Sequence, residues 1–248
     1  MVRWLVISAT LLVAACAPTP VAQPAADSAT PPEQATPALP LEIHWVRNSA
    51  EYLAVLEQTF RLADAALERR VADREPGTWA VAIDADETLI SNSQQSKEAA
   101  LGATGSFEQQ WDSWVDRRAA PALPGARRFL ERVHQLGGKI VVVTNRRERH
   151  CPQTADNLRA LELPFDVVLC RGEDRSKEPR WRSVEDGTAA ADLPPLEIVM
   201  WVGDNIHDFP GLDQELRFAG PEAMGEFGDR FFVLPNPLYG SWEHNPPQ

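Results

Sequence analysis

Cysteine is scarce in this sequence, basic charge is outnumbered, and no apolar run is long enough to cross a membrane as a mature helix. There are three cysteines in 248 residues. With Cys16 set aside for the reason given below, Cys151 and Cys170 remain, either as a disulfide in an exported chain or as two separate thiols. Lys and Arg number 24 against 36 Asp and Glu, a formal net charge of -12. No basic stripe offsets that excess, which excludes nucleic acid as a partner. An anionic substrate would need a site made locally positive by a metal and a few Lys or Arg side chains. The apolar segment Trp4 to Ala15, preceded by Arg3, is too short to span a bilayer and reads as a secretory signal.

Val13-Ala14-Ala15-Cys16 looks like a bacterial lipobox. That likeness implies cleavage before Cys16 and lipidation of the new N-terminus, hence a chain tethered to the cell envelope, at the outer membrane facing the periplasm or the cell surface. Ordinary cleavage after Ala17 is the alternative. The expected organisation is a leader over 1–15, a Pro/Ala-rich spacer over 16–42 and a catalytic domain over 43–248. Asn48, with Glu51 three residues on, predicts a helix over about 49–73, whose apolar stripe is Leu53, Leu56, Phe60, Ala63 and Leu67.

The sequence turns on Trp79-Ala-Val-Ala-Ile83, an unbroken apolar run that ends in Asp84-Ala-Asp86-Glu87-Thr88. Such a run suits a strand buried on both faces of a parallel sheet, and the carboxyl ends of such strands hold the ligands. Further strands are predicted at Lys139 to Thr144, Phe165 to Cys170, Leu196 to Val202 and Arg230 to Leu234. Helical patterns between them predict an α/β fold, a doubly wound Rossmann-like parallel sheet with the Asp84 strand at its centre. The stretch 91–121 has no strand-like run and reads as a small helical cap carrying Phe107, Trp111 and Trp114. These rings suit packing between cap and domain, and one of them could line the substrate entrance.

Three more polar clusters fall where the fold would bring them to the rim of Asp84 and Asp86. Thr144-Asn145-Arg146 offers a hydroxyl and amides suited to phosphate oxygens. Ser176-Lys177, with Arg180, offers cations for a phosphate or an attacking carboxylate. Gly203-Asp204-Asn205 with Asp208 adds two carboxylates, Gly203 permitting a sharp exit from its strand. All-oxygen donors without thiolates or paired imidazoles suit Mg²⁺ rather than zinc or copper. His207 stands alone there and is not assigned as a ligand.

On these residues, together with Asn92, Trp111 to Val115, Pro124-Gly125, Asp208-Phe209 and the tail Leu234 to Glu243, the chain resembles the haloacid dehalogenase superfamily, and within it the class C acid phosphatases, many of which are bacterial lipoproteins. The resemblance covers about Ile43 to Glu243. It implies Mg²⁺-dependent hydrolysis of phosphomonoesters, nucleoside monophosphates among them, through an aspartyl-phosphate. Asp84 would be the nucleophile and Asp86 the acid and then the base. The metal would lie between Asp84, the backbone carbonyl of Asp86 and Asp204, with Asp208 in direct or outer contact. Thr144 and Lys177 would serve the reaction, and Asn145, Arg180 and Trp111 the substrate. A homodimer is left open.

One departure concerns the leaving group. Family members commonly continue Asn-Ser-Pro-Tyr, whereas Asn92-Ser93 is followed here by Gln94-Gln95. The missing ring weakens the expectation of a nucleotide preference, not of phosphate chemistry. A dehalogenase or phosphonate-cleaving relative is the nearest rival, but it has no need of an acid at Asp86. A lipoprotein that binds without turnover is the rival from another class, and the complete set of catalytic residue types speaks against it.

Overall fold

The computed structural model describes residues 38–247. The expected leader, Cys16 and most of the expected spacer lie outside them. In chain order the elements are helices α1 (Leu41–Asn48) and α2 (Ala50–Val71), strand β1 (Trp79–Ile83), then helices α3 (Ser93–Ala100), α4 (Phe107–Arg117) and α5 (Ala126–Gln135). Strand β2 (Lys139–Arg147), helix α6 (Cys151–Ala160), strand β3 (Val167–Arg171), helix α7 (Glu178–Glu185), strand β4 (Glu197–Gly203) and strand β5 (Phe231–Val233) complete them, with short 3-10 turns between. Among the described residues no helix is long and apolar enough to cross a membrane.

The five strands form one parallel sheet in the order β3-β2-β1-β4-β5, so the Asp84 strand is central, as its composition predicts. Every residue of β1 is buried because both faces are covered. Val81 and Ile83 pack in one layer with Leu56 and Phe60 of α2 and Phe129 and Leu130 of α5. Ala80 and Ala82 face a second layer containing Trp181 and Val184 of α7 and Trp201 of β4. Burial on both sides removes any need for polar alternation. Ile83 lies opposite Val142 of β2 and Val202 of β4. Asp84, Thr144 and Asp204 therefore lie at nearly one level, on one rim, although β2 runs beyond the expected end at Thr144 to pair Arg147 with Arg171 of β3.

Several local expectations are corrected. Asn48 ends α1, an element the sequence reading lacks, and it is Ser49 that caps α2, its hydroxyl accepting the Tyr52 N–H at 3.1 Å. Leu53 is half exposed, and the buried position beside it is Tyr52. Strand β3 begins two residues later than expected, since Phe165 packs against the core from the preceding loop. Helix α5 stops at a glycine: Gly137 adopts φ +88°, and the amides of Gly137 and Gly138 return to the carbonyls of His134 and Val133. The 91–121 stretch forms α3 and α4, and α4 opens with a reciprocal cap between Ser106 and Gln109. Cys151 and Cys170 are joined by a disulfide, with Cα atoms 5.8 Å apart, which ties the start of α6 to β3.

Candidate active site

Carboxylate oxygens of Asp84, Asp204 and Asp208 all lie within 4.8 Å of one another. Asp84 follows β1, its amide continuing the ladder to Val202 O at 2.9 Å, while Asp204 follows β4. Asp208 comes back over the end of β4 through the 3-10 turn at Ile206–Asp208, and its carboxylate accepts the Asn205 amide at 2.9 Å. This close return explains Gly203. A Cβ there would stand 2.2 Å from an Asp208 oxygen, so the glycine serves close approach rather than an unusual backbone angle.

Lys177, buried at the N-cap of α7, bonds Asp84 at 2.5 Å and Asp208 at 2.6 Å. Burial alone would lower the ammonium, but Asp208 and Asp84 outweigh it and push Lys177 up to about 12. One ammonium between two carboxylates, with Asp204 beside them, leaves the trio undercompensated. Burial, opposed by Lys177 and aided by Asp208 and Asp86, pushes Asp84 up to about 7. Asp204 is raised well above the ordinary range by burial and by its neighbours Asp208 and Asp84, although Asn236 donates to it at 2.8 Å and Thr88 at 3.3 Å. A compact, all-oxygen, electron-rich trio of this kind fits a hard divalent cation.

The carboxylate of Asp86 stands outside the trio and has a different grip. Arg146 Nε reaches its two oxygens at 3.0 and 3.1 Å and Nη2 reaches one at 2.7 Å, while Asn92 Nδ2 donates at 2.8 Å. Arg146 is almost fully buried and also bonds the Thr154 hydroxyl. The next residue, Glu87, has φ +51°, which turns its side chain inward. There it accepts from the Asn92 amide at 2.5 Å, from Asn92 Nδ2 at 2.9 Å and from the Tyr239 hydroxyl. Burial and the charge of Asp86 nevertheless push Glu87 up to about 8.

Thr144 is buried at the end of the straight part of β2, its hydroxyl accepting the Arg146 amide at 3.1 Å. Asn145 is exposed, and its side-chain oxygen accepts from Arg180 at 2.7 Å. Arg180 also reaches the carbonyls of Thr144 at 2.5 Å and Ser176 at 3.1 Å, so it braces the Thr144 turn from α7. Trp111 of α4 is half buried, with the Arg146 guanidinium 5.5 Å from its ring centre and Phe107 stacked at 6.3 Å. Gln94 bonds Glu98 at 2.9 Å and Gln95 is buried, so neither places a ring beside the site. The grip of Arg146, the inward Glu87 and the support from Asn236 and Tyr239 were not assigned from the sequence. Arg146 stood in a motif without a role, and nothing local marks a partner 60 residues away.

Comparison with known proteins follows this geometry. Residues 5–242 match the family profile described as HAD superfamily, subfamily IIIB (acid phosphatase). Acid phosphatase 1 of Solanum lycopersicum is 29% identical over 166 residues, 63% of this chain and 57% of that protein, so the chain spans little more than half the length of this curated relative. The class C acid phosphatase from Bacillus anthracis is similar in structure, with a TM-score of 0.74 at 27% identity, covering 82% of this chain and 85% of that one. A structure of a class C acid phosphatase from Bacillus anthracis with tungstate bound matches at 0.73 and 26%, with the same coverage.

Proposed function

The chain belongs to the HAD superfamily, subfamily IIIB, the acid phosphatases, and from that membership we propose that it hydrolyses phosphomonoesters through an aspartyl-phosphate, using Mg²⁺. The observation that carries the proposal is the different setting of two carboxylates on one strand end. Asp84 sits in the anionic trio against Lys177, whereas Asp86 is held apart by Arg146 and Asn92. One is placed to attack, the other to move a proton.

In the first half-reaction an Asp84 oxygen attacks phosphorus, the ester P–O bond breaks, and the departing oxygen takes the proton of the Asp86 carboxyl group. In the second, Asp86 takes a proton from water as the water oxygen attacks phosphorus, which releases phosphate and restores Asp84. Lys177, 2.5 Å from Asp84, holds the charge of that carboxylate and would hold that of the incoming phosphoryl group. Thr144 presents its hydroxyl, and Asn145, braced by Arg180, presents its amide, on the same rim. Asp84, Asp204 and Asp208, with the backbone carbonyl of Asp86, would hold Mg²⁺, which supplies positive charge to offset the carboxylates and phosphoryl oxygens. Tungstate, bound in the similar Bacillus anthracis structure, is a tetrahedral oxyanion like phosphate, which supports a phosphoryl subsite here.

Gln94 and Gln95 stand in place of a ring, Trp111 lies half buried against the Arg146 side of the Asp86 clamp, and the substrate range extends to aryl, alkyl and nucleoside monophosphates. Lipidation at Cys16 places this activity at the cell envelope. The test is phosphate release from all three ester classes at acidic pH, with Mg²⁺ and with a chelator. Release that chelation abolishes and Mg²⁺ restores is the expected result. No release from any ester overturns the reading.

A further inference from the structure

We propose that Trp114 is a positioning residue for Asp86, acting through the side-chain amide of Asn92; the inference rests on the reading of Asp86 as the proton carrier. Asn92 is fully buried and its amide meets partners on both sides. Nδ2 donates to Asp86 Oδ1 at 2.8 Å and to Glu87 Oε2 at 2.9 Å, and lies 3.4 Å from the Tyr239 hydroxyl. Oδ1 accepts from Trp114 Nε1 at 2.6 Å and from Arg146 Nη2 at 3.3 Å.

An indole and a guanidinium only donate, whatever the protonation of the carboxyl groups on the other side of the amide. The amide therefore has one satisfactory orientation. Turned by half a rotation, it would set its N–H groups against two donors that cannot accept. Arg146 is already committed to Asp86 and reaches Asn92 at the longer distance, so the Trp114 N–H is the stronger constraint.

The partner of its indole N–H is what distinguishes Trp114 from Trp79 and Trp201. Trp79 and Trp201 bury their N–H groups without a partner, which shows that this protein uses indoles for packing alone. Trp114 packs too, with Arg117 4.6 Å from its ring centre, but it also spends its donor on Asn92. Three residues earlier on α4, Trp111 lies against Arg146. The cap helix thus backs both side chains that grip Asp86. Proton transfer needs heavy atoms within hydrogen-bond reach, so a loosened Asp86 penalises most the leaving groups that depend on protonation.

The experiment compares an alkyl and an aryl phosphate in the wild type and in Trp114→Phe, which keeps a ring and removes the N–H. For the alkyl ester kcat should fall about tenfold, the cost of one unsatisfied buried group. The aryl ester should lose much less, and KM should hold for both. Asn92→Asp keeps the acceptor for Trp114 but loses the donor to Asp86, and should show the same selective loss. Equal losses for the two esters, or none, overturn the proposal. Wild-type protein inactive on every ester would refute the phosphatase reading itself and this inference with it. An independent readout is exchange of indole protons in folded wild type. The Trp114 N–H should exchange more slowly than those of Trp79 and Trp201, which are buried as well but have no partner. Equal exchange rates would mean the Asn92 bond is absent.

Discussion

Asp84 and Asp86 are two residues apart yet should fail at different points of one cycle. Asp84→Asn removes the attacking oxygen and one member of the trio, so neither turnover nor covalent phosphate is expected. Asp86→Asn leaves the trio and Lys177 intact and removes proton transfer, a loss of about 10²–10⁴-fold for esters with poor leaving groups. Aryl phosphates should still phosphorylate that variant, and the phosphoenzyme should then persist. Acid-quench mass spectrometry decides the matter: phosphate on the Asp84 variant, or equal losses for aryl and alkyl esters in the Asp86 variant, would reverse or remove these roles. The positions of Asp84 and Asp204 at strand ends were legible in the sequence because carboxylates directly after apolar runs mark such ends. The side chains that hold Asp86 were not, because Arg146 and Asn92 differ from surface Arg and Asn only through partners supplied by folding.

Among the elements, the strands were the most legible, since burial on both faces writes itself as an unbroken apolar run, and β1 is buried at every position. Helix boundaries were less so. Ser49 and Asn48 are both good caps by type, and the choice between them depends on α1, whose Ile43 and Val46 are buried while Leu41 and Glu42 are exposed. The joint between α5, β2 and β3 was not visible at all. Asp166, just before β3, accepts the Ile140 amide at 2.7 Å, Lys139 at 2.9 Å and the His134 ring at 2.9 Å. Burial would raise its carboxyl, but the Ile140, His134 and Lys139 bonds outweigh this and hold it below the ordinary value. A depressed folded value stabilises the protein above the unfolded Asp value, about 3.9, and the benefit disappears as pH falls through the folded value. Asp166→Asn should therefore cost about 1–2 kcal/mol near neutrality. The difference should shrink on acidification below the ordinary Asp range. Thermal melts of both proteins at neutral and strongly acidic pH measure it, and a gap that is constant or widens toward acid would refute the assignment.

At the scale of the whole molecule, the charge of -12 bears on how the protein would be held at a membrane. Anionic lipids repel an acidic surface, so adsorption by charge is unfavourable, and no described helix provides a membrane span. What the sequence offers instead is Cys16, behind an apolar leader and ahead of a segment rich in Pro, Ala and Thr. A single acyl chain holds a protein only marginally, whereas the several chains of a bacterial lipoprotein hold it firmly. Wild-type protein expressed with its own leader should therefore remain with membranes through a high-salt wash and incorporate labelled palmitate. Cys16→Ser should lose the label and appear in the soluble fraction. Its kcat should be unchanged, because the substitution alters none of the side chains that build the candidate site. A Cys16→Ser protein that stays on washed membranes would refute lipid anchoring at this residue, and release of the wild type by salt would point to charge after all.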